Sequence, residues 1–366
     1  MSTMNKGGIC HWIVLSHGNN GETKDVEFLQ SKIEEQAKDG VDVLHVQCLT
    51  CNSNNTHEGI NVGGKRIAQE VKTFYMDYIE NCHYDRIVFS VAGHSLGGLY
   101  LRFAIADIVQ WFDEECVTGV EYKSYLSICT PHLGMNRTSK PGYFNWMEKA
   151  ISVGANVYVR NWLGPTGQQL AVIDKDGENG QSLLLEMSDP NGKFIKALNR
   201  FSFRTIVGAT HYDMSVPHSG ACIQVNNPFT APNYSPNVTF HIVGHSNFES
   251  SACAILSLED KLKQEPEKNS NFSDDMVMDS ECIQQLPSRM LVNLRNINWR
   301  RVHVQFEIPG LIHTKNGCVH DLVINKLKPF YLLKENPEGA IQCVNFLARL
   351  LLCDHGLVKP VDSTTE

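Results

Sequence analysis

The feature that most restricts the fold of this chain is the stretch Gly93-His94-Ser95-Leu96-Gly97, set between an apolar, β-branched run from Ile87 to Val91 and a helical pattern beginning near Leu96. A chain that leaves a buried strand and enters a helix within so few residues must turn sharply, which forces the middle residue into a strained backbone conformation. Residues packed against such a turn must lack side chains, and Gly93, Gly97 and Gly98 do. A serine held there presents its hydroxyl above the sheet, with the N–H groups and positive dipole end of the following helix aimed at it. Ser95 is therefore the expected nucleophile. G-x-S-x-G is short and recurs by chance, so the flanking strand and helix give it its meaning. A near-match at Gly244-His245-Ser246 has Phe248 in place of the second glycine, and Ser246 reads as a loop serine.

The surrounding pattern alternates between two periods. Cys10 to Ser16 reads as a buried strand. Val26, Leu29, Ile33 and Ala37 form one stripe of a helix from about Thr23 to Lys38, and Val41, Val43 and Val46 read as the next strand. Ile67, Val71, Phe74 and Tyr78 line a second helix; Leu99, Phe103, Ala106 and Val109 line a third. Tyr125 to Cys129, Phe203 to Val207 and Val302 to Ile308 read as further strands, the last of these closing the series. Asn336-Pro337 starts a final helix that buries Val344, Leu347 and Leu351. Strand and helix in alternation predict an α/β fold with a mostly parallel central sheet and helices on both faces.

The expectation is a single domain over 1–366, with two interruptions. Residues 136–190 are rich in glycine and aromatics and suggest a cap or lid insertion. Residues 259–287 are acidic and polar and suggest a mobile loop.

Charge and composition narrow the partners. The 32 Lys+Arg against 40 Asp+Glu give a net charge of -8, with no basic patch, which speaks against nucleic acid. The N-terminal stretch lacks the apolar core and cleavage site of a secretory signal, and no run reaches the roughly 18 apolar residues of a membrane span. The expected location is cytoplasmic, with the option of a peripheral position on membranes or lipid droplets. Most of the 12 cysteines lie in apolar segments and suit reduced thiols. Cys48 and Cys51 make a C-x-x-C without two further ligands at matching spacing, so loop or core thiols are the expectation. The sequons at Asn54, Asn136, Asn237 and Asn271 carry little weight without such a signal.

A nucleophilic serine needs donors for the oxyanion it creates, one of them from a loop after an early strand. His17-Gly18-Asn19-Asn20-Gly21 supplies such a loop. The backbone N–H of Asn19 would donate beside that of Leu96, the alternative being a plain structural turn.

The sequence resembles the putative serine esterase family of lipase-like α/β hydrolases. The likeness rests on this H-G-x-x-G loop, Glu58-Gly59-Ile60-Asn61-Val62-Gly63-Gly64, Gly93 to Arg102, Thr130-Pro131-His132-Leu133-Gly134 and Asp213-x-x-Val216-Pro217. The resemblance implies the α/β-hydrolase fold and a lipase acting on monoacylglycerols or phospholipids. Asn19 departs from the apolar residue usual at its position in the family.

Hydrolases of this fold carry their residues in the order serine, carboxylate, histidine. Asp213 is the first acidic residue after the strand Phe203 to Val207, and its turn resembles the family's acid-bearing loop; Asp174, Asp176 and Asp189 are weaker candidates. His320, opening an apolar helix Leu322 to Leu327, matches the family's base, with His313 as the alternative. His132 precedes the acid and reads as structural or pocket-lining. The expected chemistry is acyl transfer from a lipid ester through an acyl-enzyme, requiring no metal or organic cofactor. Two rivals remain open: a thioesterase or short-chain carboxylesterase, and a non-catalytic scaffold on the same fold. Oligomeric state is left open.

Overall fold

The computed structural model describes residues 8–40, 43–115, 117, 119–135, 164–248, 286–309, 318–326 and 337–358. Strands β1 (Ile9–Ser16), β2 (Val43–Cys48), β3 (Arg86–His94), β4 (Val120–Ile128), β5 (Phe203–Ala209), β6 (Thr239–Ser246) and β7 (Arg300–Glu307) form one sheet in the order β2-β1-β3-β4-β5-β7-β6. All pairs are parallel except β6 with β7. The helices are α1 (Lys24–Gln36), α2 (Ile60–Phe74), α3 (Leu96–Glu114), α4 (Gly164–Leu170), α5 (Leu183–Glu186), α6 (Lys193–Leu198), α7 (His218–Cys222), α8 (Leu286–Arg295), α9 (Cys318–Leu322) and α10 (Glu338–Asp354). This is the α/β-hydrolase arrangement.

Because side chains of a strand alternate between faces, β1 feeds two cores at once. Trp12 and Val14 join the cluster built with α2, α3, α6 and α8, while Ile13 and Leu15 join the one built with α1, α9 and α10. Helix α3 lies nearly all inside. Fourteen of its residues are buried, Arg102 among them, so its sequence reads as apolar on more than one face.

The sheet is also held across its second face by a buried ion pair. Arg300 donates to both oxygens of Asp354 at 2.8 and 2.5 Å, and the Ser124 hydroxyl donates to the same carboxylate at 2.5 Å. Thus β4, β7 and α10 meet at one satisfied charge pair.

The order 2-1-3 means that the chain leaves β1 toward one side and returns on the other. The loops after β1 and β3 therefore part, opening a crevice beyond the carboxyl ends of the strands. That crevice receives the site.

Several elements differ from the sequence reading. β6 is an additional strand, so β7 is the last in sequence but not the edge, and Ser246 ends β6 rather than lying in a loop. A register shift between Ile242 and Gly244 breaks the period-two signal of this strand. Helix α2 stops at Phe74 and runs into a π turn, Tyr75–Ile79, which turns Tyr78 outward to 59% exposure. Helix α9 begins before His320 and ends at Leu322, so the histidine sits inside a short helix rather than opening a longer one. Residues 136–163 of the expected cap, almost all of the expected loop 259–287 and His313 lie outside the described residues. From 164 to 190 the chain packs Leu170, Leu183, Leu184, Leu185 and Met187 into the cluster around α3. Thr166 Oγ1 and Gln169 Oε1 accept the backbone N–H groups of Gly59 and Ile60, satisfying two of the donors that the start of α2 leaves open.

Candidate active site

Ser95 stands where β3 ends and α3 begins, with φ 54° and ψ -125°. Its backbone N–H donates to Ile128 O at 2.7 Å, which fixes the turn against the end of β4. The surrounding glycines are demanded by contact. A Cβ on Gly97 would sit 2.4 Å from His17 O and 2.5 Å from Ser16 O, and one on Gly18 would meet Ser95 Cβ at 2.8 Å. The β1 loop and the elbow therefore touch through bare backbone.

Two side chains from distant parts of the chain, His320 of α9 and Asp213 of the loop after β5, converge on the serine. The Ser95 hydroxyl lies 2.8 Å from His320 Nε2, and His320 Nδ1 lies 2.8 Å from Asp213 Oδ2. The chain of bonds assigns the tautomer: Nδ1–H donates to the carboxylate, leaving the Nε2 lone pair to accept the serine O–H. The other carboxylate oxygen, Oδ1, accepts N–H groups from Ser215 at 2.9 Å and Val216 at 2.8 Å. The turn at 213–217 thereby aims Oδ2 at the histidine. The site is secluded, with Ser95 8% and His320 7% exposed.

The oxyanion side is equally local. Thr56 Oγ1 donates to Asn19 Oδ1 at 3.2 Å and accepts the Asn20 N–H at 3.0 Å, so one hydroxyl orients the loop after β1. The backbone N–H groups of Asn19 and Leu96 have no hydrogen-bond partner among the described residues. Leu96 is the first residue of the 19-residue α3, whose positive end adds to the field at the serine.

The weaker candidates fall elsewhere. Asp174 accepts from Ser182 Oγ and the Leu183 N–H, at the start of α5. Asp176 accepts from Gln169 and Asp189 accepts the Asn191 N–H in a turn. His132 is wholly buried, held between Arg102 at 3.0 Å and the Ser127 hydroxyl at 2.8 Å, and burial pushes its pKa well below the usual range. It is part of the core beside the site. Cys48 donates to Gln30 and the Cys51 N–H donates to Glu70, so the C-x-x-C sits among ordinary polar contacts.

Sequence reasoning missed three participants. His94 Nε2 lies 2.8 Å from the His320 carbonyl, and the two rings pack at a tilt of 44° with centroids 4.7 Å apart. Its place in the serine motif was the available signal. Thr56 carried none. Cys129, read as a core thiol, follows β4 with φ 48° and groups with Asp213 and His320, their ligand atoms all within 4.8 Å of one another; burial raises its pKa well above the usual thiol range. A cleft of about 420 Å³ lined by Tyr75, Met76, Ile79 and Trp111 also includes Ile87, near the start of β3, and so lies at the opposite end of that strand from the serine.

Residues 8–224 match the family described as "Putative serine esterase (DUF676)". The chain belongs to this family. The matched span holds Ser95, Asp213 and both oxyanion candidates, whereas His320 lies beyond it, brought in by the fold. Among curated relatives, "Putative lipase C4A8.10" of Schizosaccharomyces pombe is 27% identical over 59% of this chain and 26% of its own length. "Putative lipase YDL109C" of Saccharomyces cerevisiae is 31% identical over 57% and 29%. The match thus spans about a quarter of these relatives' length. Among solved structures, phospholipase PlaB from Legionella pneumophila is 12% identical, covering 66% of this chain and 49% of its own, with a TM-score of 0.33, a likeness too loose to bear on substrate.

Proposed function

We propose that the protein is a serine hydrolase of carboxylic esters, acting on lipids through an acyl-enzyme. One observation carries the reading: a histidine bonded on one side to a strained, secluded serine hydroxyl and on the other to a carboxylate that two backbone N–H groups hold in place. In the proposed cycle His320 Nε2 takes the Ser95 proton as Oγ attacks the ester carbonyl. Asp213 stabilises the imidazolium, and the N–H groups of Asn19 and Leu96 receive the oxyanion. The imidazolium then returns its proton to the leaving alcohol, and water activated by the same nitrogen releases the acid.

The lipid assignment draws on the names of the yeast relatives and on the aromatic composition of 136–190. Transient contact with a membrane or lipid-droplet surface belongs to the same proposal; no helix among the described residues is long and apolar enough to cross a membrane. Fluorophosphonate labelling tests the chemistry. Wild type is expected to label and Ser95→Ala to lose the label; equal labelling, or none in either, would favour a scaffold. Ester substrates of graded chain length then separate lipase from short-chain esterase, since a preference for acetyl over long acyl groups removes the lipid assignment.

A further inference from the structure

Directly after the acid-bearing turn in the chain begins a second group of side chains with metal-binding chemistry. Helix α7 starts immediately after the turn 213–217 and carries His218 and Cys222, four residues apart and so on one face. Opposite them, β7 contributes His303. His218 Nε2 lies 2.9 Å from His303 Nδ1, and Cys222 Sγ lies 3.5 Å from the same nitrogen. All three side chains are buried, and their ligand atoms lie within 4.8 Å of one another.

Hydrogen bonding at His303 Nδ1 is crowded. His303 Nδ1 has one hydrogen or one lone pair to offer, and two groups converge on it. A cation between the three would instead use a lone pair from each. For zinc at ~2.0–2.1 Å from nitrogen and ~2.3 Å from sulfur in tetrahedral geometry, donor separations come to roughly 3.3 Å for N···N and 3.5 Å for N···S. The observed 3.5 Å already fits, and the observed 2.9 Å needs to open by a few tenths of an ångström. The fold makes room for the sulfur: a Cβ on Gly208, which pairs with His303 in the sheet, would lie 2.3 Å from Cys222 Sγ. Phe229 covers the cluster, its ring centroid 5.6 Å from that of His218 and 4.8 Å from that of His303.

We propose that His218, Cys222 and His303 form a site for a zinc-class divalent ion, with water in the fourth position. Binding is not redox: the S–H bond breaks, its proton leaves to solvent, and the thiolate sulfur and one nitrogen of each imidazole donate to the metal. His218 Nδ1 is buried without a hydrogen-bond partner among the described residues, which leaves one ligand unbuttressed and sets the affinity below that of a fully supported site. The ion would tie the helix that follows Asp213 to the strand β7, bracing the acid-bearing turn. The site goes beyond the ester-hydrolase reading and stands or falls separately from it.

Cobalt(II) titration of the purified full chain tests it. Wild type is expected to develop a thiolate-to-cobalt charge-transfer band that saturates near ~1 equivalent, as a single site containing one cysteine requires. Cys222→Ser should abolish the band and weaken zinc about tenfold or more in competition with a chromophoric chelator. Cys129→Ser should leave both unchanged. If Cys222→Ser does not fold, His303→Gln serves in its place, and the wild-type titration stands regardless. Absence of the band in wild type, or its loss with Cys129→Ser rather than Cys222→Ser, would overturn the proposal.

Discussion

The sharpest test of the proposed chemistry is Asp213→Asn, because the structure dictates how the amide must sit. Oδ1 accepts two backbone N–H groups, from Ser215 and Val216, at 2.9 and 2.8 Å. The asparagine carbonyl oxygen must keep that place, since the alternative orientation would point an NH2 group at two other donors and leave buried groups unsatisfied. The NH2 then faces His320 Nδ1, where the carboxylate oxygen stood at 2.8 Å. A donor there requires Nδ1 to accept, so the imidazole proton moves to Nε2 and points at Ser95 Oγ. The base has lost its lone pair. The same tautomer error in a Ser-His-Asp enzyme lowers kcat by about 10⁴, or about 5.5 kcal/mol of barrier, with the fold intact. Steady-state hydrolysis of a medium-chain ester should show that loss in kcat with KM changed little, and thermal melting should stay near wild type. A folded variant within about tenfold of wild-type kcat would refute both the role of Asp213 and the tautomer argument.

Three further outcomes follow from the geometry. Gly97→Ala places a methyl against two backbone carbonyls that cannot withdraw, 2.4 and 2.5 Å from the Cβ position; a cost of about 3 kcal/mol or more in denaturant midpoint is expected, with loss of fluorophosphonate labelling. Asp354→Asn leaves the Arg300 guanidinium buried without its counter-charge, and urea unfolding should show a loss of about 3–5 kcal/mol. Acid should weaken the fold well before the carboxylates protonate. Burial, with His11 and Lys123 nearby, lowers the His355 pKa from 6.5 to about 3. Its contribution is fully present above pH 6.5, where neither state is protonated. As pH falls below that value the unfolded chain takes up a proton that the native chain refuses, and the contribution is gone once pH passes below about 3. From pH 6.5 to 5 His355 alone should cost about 1–2 kcal/mol, and the depressed His132, His218, His17 and His211 act in the same direction. Denaturant melts over that range check it, and a flat profile would count against the burial of these rings.

The parts of this architecture legible in the sequence are those set by local periodicity. Strands alternating with amphipathic helices mark the parallel sheet, since a parallel crossover requires that rhythm. The strand β6 escapes it because it pairs antiparallel at the edge and carries a register shift that breaks its alternation. Helix α9 escapes it as well: at five residues it is too short to show a helical period, and its place is set by packing. The same division holds at the site. The chain order of Ser95, Asp213 and His320 follows from the order of the strands that end beneath them. Thr56 and Cys129 reach the site through space, from loops whose neighbours no window of sequence reveals, whereas His94, at the end of β3, stands beside the serine in the motif itself.

Backbone strain collects where those strands end. Ser95 after β3 has φ 54°, Cys129 after β4 has φ 48°, and Tyr212, one residue before Asp213 in the loop after β5, has φ 63°. None is glycine, and each such residue costs on the order of 1–3 kcal/mol unless its surroundings hold it. The surroundings here are backbone bonds between neighbouring strands: the Ser95 N–H to Ile128 O at 2.7 Å and the Cys129 N–H to Val207 O at 2.8 Å. Each strand end is thus clamped to the next, so relaxing one turn would disturb its neighbour. A chain selected only for stability would place glycine or asparagine at these three positions and relieve the strain. Retaining it on three adjacent strands, around one serine–histidine–aspartate chain of bonds, is what a pre-set nucleophile requires, because attack geometry that is already formed need not be assembled when substrate arrives.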